Sequence, residues 1–259
     1  MCPSFDAAAE TYDYEFEHLP ATARIRGIVR ELAIRRFPPG GTILELNCGT
    51  GTDAIALSQS GFHVLATDAS PSMISVARAK MEARSARQVE FRVIPFEQVS
   101  VLEGKMFDGV FSNMGGLNCL ADLRPLARSL ATILKPGGFF VATLLSDFCL
   151  WETAAFLLRL NFRGAFRRRR TNGSEVSISG DSVKVFFHSP SSVRDAFSPF
   201  FGRSSLLGLN ILTPPPSSAR AYQHLGHGRR VLESLDNAIA EVPPFNRLGD
   251  HFVIALQRS

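Results

Sequence analysis

The chain holds 259 residues, of which 45% are apolar and 20% charged, with a formal net charge of +4. Those figures exclude a disordered chain and a small disulfide-stapled module, and they suit one large α/β domain or a domain with an insertion. Six arginines (Arg159, Arg163, Arg167, Arg168, Arg169 and Arg170) crowd into one acid-free stretch, and removing their charge from +4 leaves −2 for everything else, so nothing here describes a general nucleic-acid binder.

Cys2, Cys48, Cys119 and Cys149 lie far apart and none forms a Cys-x-x-Cys pair, which argues against a zinc site or a disulfide framework and for a reducing compartment. The first residues lack a basic stretch followed by an apolar run. The most apolar stretch, 139–160, is interrupted by Asp147 and Glu152 and does not read as a membrane span. The expectation is a cytoplasmic protein without a transmembrane segment and without a metal.

In chain order, 21–37 has helical spacing (Ile25, Ile28, Val29, Leu32, Ala33) and ends at Pro38, Pro39, Gly40 and Gly41. Thr42–Leu46 is a short apolar strand followed by a Gly-rich turn, 53–59 the next helix, 63–67 a second strand, and 71–84 a helix with Pro at its first position. Strands follow at 89–94 and Phe107–Ser112. A helix over 122–134 is stopped by Lys135, Pro136, Gly137 and Gly138, and 139–145 makes a fifth strand. Strands alternating with helices imply right-handed βαβ units and a mostly parallel sheet. Beyond this point the pattern loosens. An amphipathic helix is expected over 150–166, a hairpin from 175–179 and 183–187 about Gly180 and Asp181, a helix over 192–197, a strand over 205–211, a helix over 229–240, and a closing strand over 251–256. Residues 147–190 read as an insertion, a lid over the strand ends.

The informative run is Glu45, Leu46, Asn47, Cys48, Gly49, Thr50, Gly51, between a strand and a helix. Glycines there let the chain turn tightly and expose main-chain N–H groups to a ligand. Asp68 closes the second strand, where its carboxylate can accept both hydroxyls of an adenosine ribose.

This run, followed by Ala66, Thr67, Asp68, Ala69, Ser70, Pro71, Ser72, Met73 and then by Leu134, Lys135, Pro136, Gly137, Gly138, resembles the successive signatures of class I S-adenosylmethionine-dependent methyltransferases, most of all the ubiquinone-biosynthesis-like group labelled methyltransferase type 11. The resemblance implies a Rossmann-like, doubly wound, mostly parallel seven-stranded sheet with an antiparallel last strand and a small α+β insertion. It implies one cofactor-binding domain formed by 1–146 and 191–259, with 147–190 over the substrate. It implies S-adenosyl-L-methionine as cofactor and S-adenosyl-L-homocysteine as product. Glu45, Asn47, Gly49 and Gly51 would line the methionine end, Asp68 the ribose, and Ala69, Met73, Phe96 and Glu97 the adenine. Asn113 and Met114 would reach the methionyl portion, and Tyr12 would close over the cofactor. Two departures stand out. Asn47 replaces the family's usual glycine, a position Asn tolerates in left-handed backbone. Pro95 stands where relatives often carry an Asp for the adenine amino group.

No catalytic residue is legible, because methyl transfer needs mainly positioning and exclusion of water. His18, His188 and His251 are the histidines placed to face a substrate, and the phenylalanines of 148–187 could form an apolar roof. The expected activity is transfer to an O, N or C atom of a small-molecule acceptor. Two alternatives remain: an RNA, protein or lipid methyltransferase recruited to an anionic surface by the arginines of 163–170, and a non-catalytic cofactor-binding module. Oligomeric state is not legible.

Overall fold

The computed structural model describes residues 5–83, 88–170, 172–178 and 181–259. Along the chain these form α1 (Pro20–Arg36), β1 (Thr42–Leu46), α2 (Thr52–Gln59), β2 (His63–Asp68), α3 (Pro71–Ala83), β3 (Val89–Val93), β4 (Phe107–Ser112), α4 (Arg124–Ile133) and β5 (Leu134–Leu145). They continue with α5 (Leu150–Leu158), α6 (Phe162–Ala165), β6 (Ser174–Ile178), β7 (Asp181–Val185), α7 (Pro190–Phe197), β8 (Phe201–Leu209), α8 (Ala219–His224), α9 (Gly228–Ile239) and β9 (His251–Arg258).

Seven strands make one sheet in the order β3-β2-β1-β4-β5-β9-β8. β1 to β5 are mutually parallel, and β9 runs antiparallel to both its neighbours, β5 and β8. This is the Rossmann-like, mostly parallel arrangement with an antiparallel last strand. The period-2 alternation of each strand divides the core in two. Leu44, Val110, Phe140 and Ile254 face one side with α4 and α7. Ile43, Phe111, Val141 and Val253 face the other with α1 and α2. On the first side Phe140 and Phe197 stack with ring centroids 5.2 Å apart.

Several local expectations are corrected. The helix expected over 150–166 is broken into α5 and α6, with Leu160 between them in left-handed backbone (φ 55°). The run from Lys135 to Gly138 does not precede the fifth strand but lies within it, as an irregularity where pairing jumps from Phe107–Leu134 to Gly109–Phe139. β8 begins four residues earlier than the expected strand start at 205 and stops at Leu209. In the hairpin, Asp181 pairs with Ile178 as the first residue of β7, while Gly180 lies outside the described residues, as do Cys2 and the expected helix end at Arg84. Unanticipated short helical turns cover Asp6–Ala8, Asp13–Glu17 and Phe96–Leu102.

The segment between β5 and α7 is stitched to the sheet at both ends. Asn118 accepts from the Leu145 amide at 2.8 Å and donates to the carbonyls of Leu145 (3.1 Å) and Phe186 (2.7 Å). Its own carbonyl accepts from the Phe186 amide at 2.7 Å. Ser146 and His188 form a parallel bridge. One asparagine therefore holds the two ends of the segment beside β5.

Candidate functional site

β1 continues toward β2 on one side, and β4 toward β5 on the other, so the loops leaving β1 and β4 diverge and open a crevice at the strand C-termini. Asn47, after β1, has φ 46°, and Met114 and Gly115, after β4, have φ 56° and 73°. The two loops are tied to each other. Asn47 Nδ2 donates to the Asn113 carbonyl (2.8 Å), and Ser112 Oγ donates to Asn47 Oδ1 (2.6 Å). Asn47 thus occupies a position where glycine is usual and uses its side chain to join β1 to β4. Gly116 permits this, because a Cβ there would meet the Asn47 amide at 2.3 Å.

Asp68, at the end of β2, is fixed by main-chain donors. Its Oδ2 accepts from the Gly49 amide and its Oδ1 from the Ser70 amide, each at 2.9 Å. Burial raises its pKa, and the Ser70, Gly49 and Ala69 amides pull the other way.

The crevice holds a cavity of about 310 Å³. Its floor includes Glu45, Asn47, Cys48, Gly49, Asp68 and Asn113. The N-terminal segment supplies Phe5, Tyr12 and Phe16, and α1 supplies Thr22 and Arg26. The segment between β5 and α7 adds Arg167, Arg168, Val176, Val183, Val185 and Phe187, and the C-terminal part adds Asp250 and His251. A narrow adjoining slot is lined by Phe5, Asp68, Ala69, Ile94 and Phe96.

Of the residues singled out from sequence, Tyr12, Glu45, Asn47, Gly49, Asp68, Met73, Asn113 and Met114 line the cavity, and Ala69 and Phe96 line the slot. Gly51 and Glu97 line neither. Gly51 (φ 78°) is a packing position, since a Cβ there would lie 2.8 Å from Phe91 and 2.9 Å from Ala77. Glu97 is exposed on the turn after β3. Among the six histidines only His251 reaches the cavity. His18 is exposed, and His188 is buried with Nε2 2.9 Å from the Leu120 carbonyl. Of the phenylalanines of 148–187 only Phe187 lines the cavity, while Phe162 and Phe166 face solvent.

Two charged constellations were not anticipated. Arg26 pairs with Asp53 and, at 2.6 Å, with Glu17, and Asn113 Nδ2 donates to Asp53 at 3.0 Å. Burial would lower the Arg26 pKa, but Asp53 and then Glu17 outweigh it. The only sequence signal was an arginine one position from the apolar stripe of α1. Opposite, Arg168 is buried and bonded to Glu152 (2.6 Å) and Asp250 (2.5 Å). Asp250 Oδ2 lies 2.7 Å from His251 Nδ1, close but not aligned as a hydrogen bond. Burial would raise the Asp250 pKa, yet His251 and Arg168 hold it well below the usual range.

Glu45 is the unbalanced group. Its Oε2 is buried without a hydrogen-bond partner among the described residues. Burial, then the Asp53 charge, pushes its pKa well above the carboxylate range, and Arg26 offsets only part. An acceptor oxygen left this way beside a cavity suits a cationic ligand group.

The N-terminal segment is latched over the same cavity. Asp6 accepts from Ser70 Oγ (2.5 Å) and the Ser72 amide (3.0 Å), and Asp13 accepts from Thr50 Oγ1 (2.5 Å) and pairs with Lys80 (2.5 Å). Tyr12 packs on Phe16 with ring centroids 4.9 Å apart.

The strand order and the crevice at its reversal define a class I methyltransferase fold, and residues 43–138 match the family model described as a methyltransferase domain. The chain is 34% identical over 114 residues to a ubiquinone biosynthesis O-methyltransferase of Xanthomonas campestris pv. campestris, an alignment covering 44% of this chain and 47% of that protein. It spans about half the length of the curated relatives it matches. Among solved structures, the PH0226 protein of Pyrococcus horikoshii superposes with a TM-score of 0.63 at 17% identity, covering 99% of this chain and 100% of the other. A geranyl diphosphate C-methyltransferase of Streptomyces coelicolor, determined with S-adenosyl-L-homocysteine, gives 0.58 at 17% identity, covering 100% and 90%. Those two structures share its fold.

Proposed function

We propose that this chain transfers a methyl group from S-adenosyl-L-methionine to a small-molecule acceptor, releasing S-adenosyl-L-homocysteine, and that it works in the cytoplasm. The observation that carries the reading is the pairing of two carboxylates on one cavity: Asp68, pinned by the Gly49 and Ser70 amides, and Glu45, with an orphaned buried oxygen.

These residues fit the cofactor. Asp68 would accept from the ribose hydroxyls, and Glu45 would receive the amino group of the methionine end. Asn47, Gly49, Asn113 and Met114 would surround that end. Ala69, Met73 and Phe96 would hold the adenine by apolar contact, Pro95 offering no side-chain acceptor. Tyr12 and the latched N-terminal segment would close over it. Gly51 would support the loop through its packing on Phe91 and Ala77, and the exposed Glu97 would lie outside the contact. When bound, the cofactor supplies an electrophilic methyl group on a sulfonium, and the protein orients the acceptor and excludes water.

Residues 1–146 and 191–259 would then bind cofactor, and 147–190 would cover the acceptor, with Val176, Val183, Val185 and Phe187 as an apolar wall. His251, the one histidine on the cavity and backed by Asp250, would take the proton from an acceptor whose attacking atom carries one. Isothermal calorimetry with S-adenosyl-L-homocysteine tests the reading. Micromolar binding supports it, and no detectable heat under conditions where the chain is folded ends it.

A further inference from the structure

The arginine cluster is not one surface. Arg168 is buried between Glu152 and Asp250, and Arg167 is bound to Glu152 at 2.5 Å, so both belong to the cavity wall. Arg159, Arg163 and Arg170 are exposed and carry no ion pair among the described residues. Arg169 is exposed as well, its guanidinium 5.8 Å from the Phe148 ring and 6.0 Å from the Phe166 ring.

Interleaved with these cations is the densest run of solvent-facing apolar side chains in the described protein. Leu158 is 86% exposed, Leu160 78%, Phe162 62% and Phe166 49%. None of the four lines the cavity. Leu160 stands in left-handed backbone at the break between α5 and α6, a position where a leucine is strained and glycine or asparagine would be the undemanding choice. A bulky apolar residue held there in water adds little to the buried core.

From this juxtaposition we infer that the α5–α6 break and the turn after it form a docking surface for a bilayer carrying anionic headgroups. Leucine and phenylalanine enter the acyl boundary, and the exposed arginines meet the lipid phosphates from their long apolar stems. A second copy of the chain does not fit the charge, because a self-complementary contact of this patch would press arginine against arginine. A polyanion such as RNA would use the arginines and leave the leucines without a partner. The same segment that would touch the membrane also provides Arg167, Arg168 and the β6–β7 hairpin to the cavity. A membrane-dissolved acceptor would therefore reach the site from that side. The docking itself stands independently of methyl transfer.

Flotation of the full chain with vesicles of phosphatidylcholine, with or without phosphatidylglycerol, tests it. The expected result is at least about tenfold more protein on the anionic vesicles, falling as salt is raised. Two variants with unchanged thermal unfolding, Arg163→Gln/Arg170→Gln and Leu158→Ser/Leu160→Gly/Phe162→Ser, should each lose that binding. Three results overturn the proposal: no preference for anionic vesicles, vesicle binding that survives either variant, or no vesicle binding while the chain binds homopolymeric RNA or self-associates through this patch.

Discussion

The amide of Gly49 donates to the carboxylate of Asp68 across 2.9 Å, joining the turn after β1 to the end of β2. The bond orients the acid and holds the glycine loop in a single piece. Replacing Asp68 with Ala removes both the proposed ribose acceptor and the anchor of the loop. Charge-assisted hydrogen bonds contribute roughly 1.5–3 kcal/mol each, so S-adenosyl-L-homocysteine should bind more than about tenfold more weakly by calorimetry.

Glu45 sets a pH dependence. Its pKa is raised in the free protein, first by burial and then by the Asp53 charge. A ligand ammonium favours the ionised form, so binding takes up no proton when Glu45 is already charged and must expel one when it is not. Affinity for S-adenosyl-L-homocysteine should therefore rise with pH above the ordinary carboxylate range, as Glu45 ionises. Glu45→Gln should bind more weakly and flatten the profile. Calorimetry at several pH values reads both.

Arg26 is a matter of stability. Changing it to Met leaves the buried Asp53 and the half-buried Glu17 with a partner removed, and breaking a buried pair in this way typically costs about 3–5 kcal/mol. Arg30, 3.4 Å from Asp53, moderates the loss toward the lower end. Melting followed by circular dichroism should fall by several degrees.

Gly51→Ala separates packing from binding. The new Cβ would have to fit at φ 78° against Phe91 and Ala77. A cost of about 1–3 kcal/mol is expected, seen as a lower melting temperature, with any loss of ligand affinity secondary to it.

His251→Gln addresses the acceptor side. With an acceptor found by screening extracts for label transferred from S-adenosylmethionine, kcat should drop by roughly 10²–10⁴ for a protic acceptor. Affinity for S-adenosyl-L-homocysteine should stay unchanged. Equal kcat in the two proteins would remove His251 as the base.

Local physics makes much of this molecule legible in its sequence. Glycine and proline punctuation and the alternation of apolar runs marked β1, β4 and the helices between them, because each such element is specified by residues near one another in the chain. Asp68 was legible for the same reason: a strand ends, and an acid ends it. Leu160 shows where this stops, since helical spacing continued through 150–166 while the chain broke at a left-handed leucine.

Partnerships across long separations had no such signature. Arg168 reads as one of six similar arginines, and only folding puts it, alone of them, between Glu152 and Asp250. Arg26 meets Asp53, Asn118 meets Phe186, and Asp250 and His251 share a cavity with Val176, Val183 and Val185 of the β6–β7 hairpin because the sheet order brings their elements to one end. Composition and periodicity carry burial and turning, which are local. Which charge faces which depends on distances that exist only once the layers have packed.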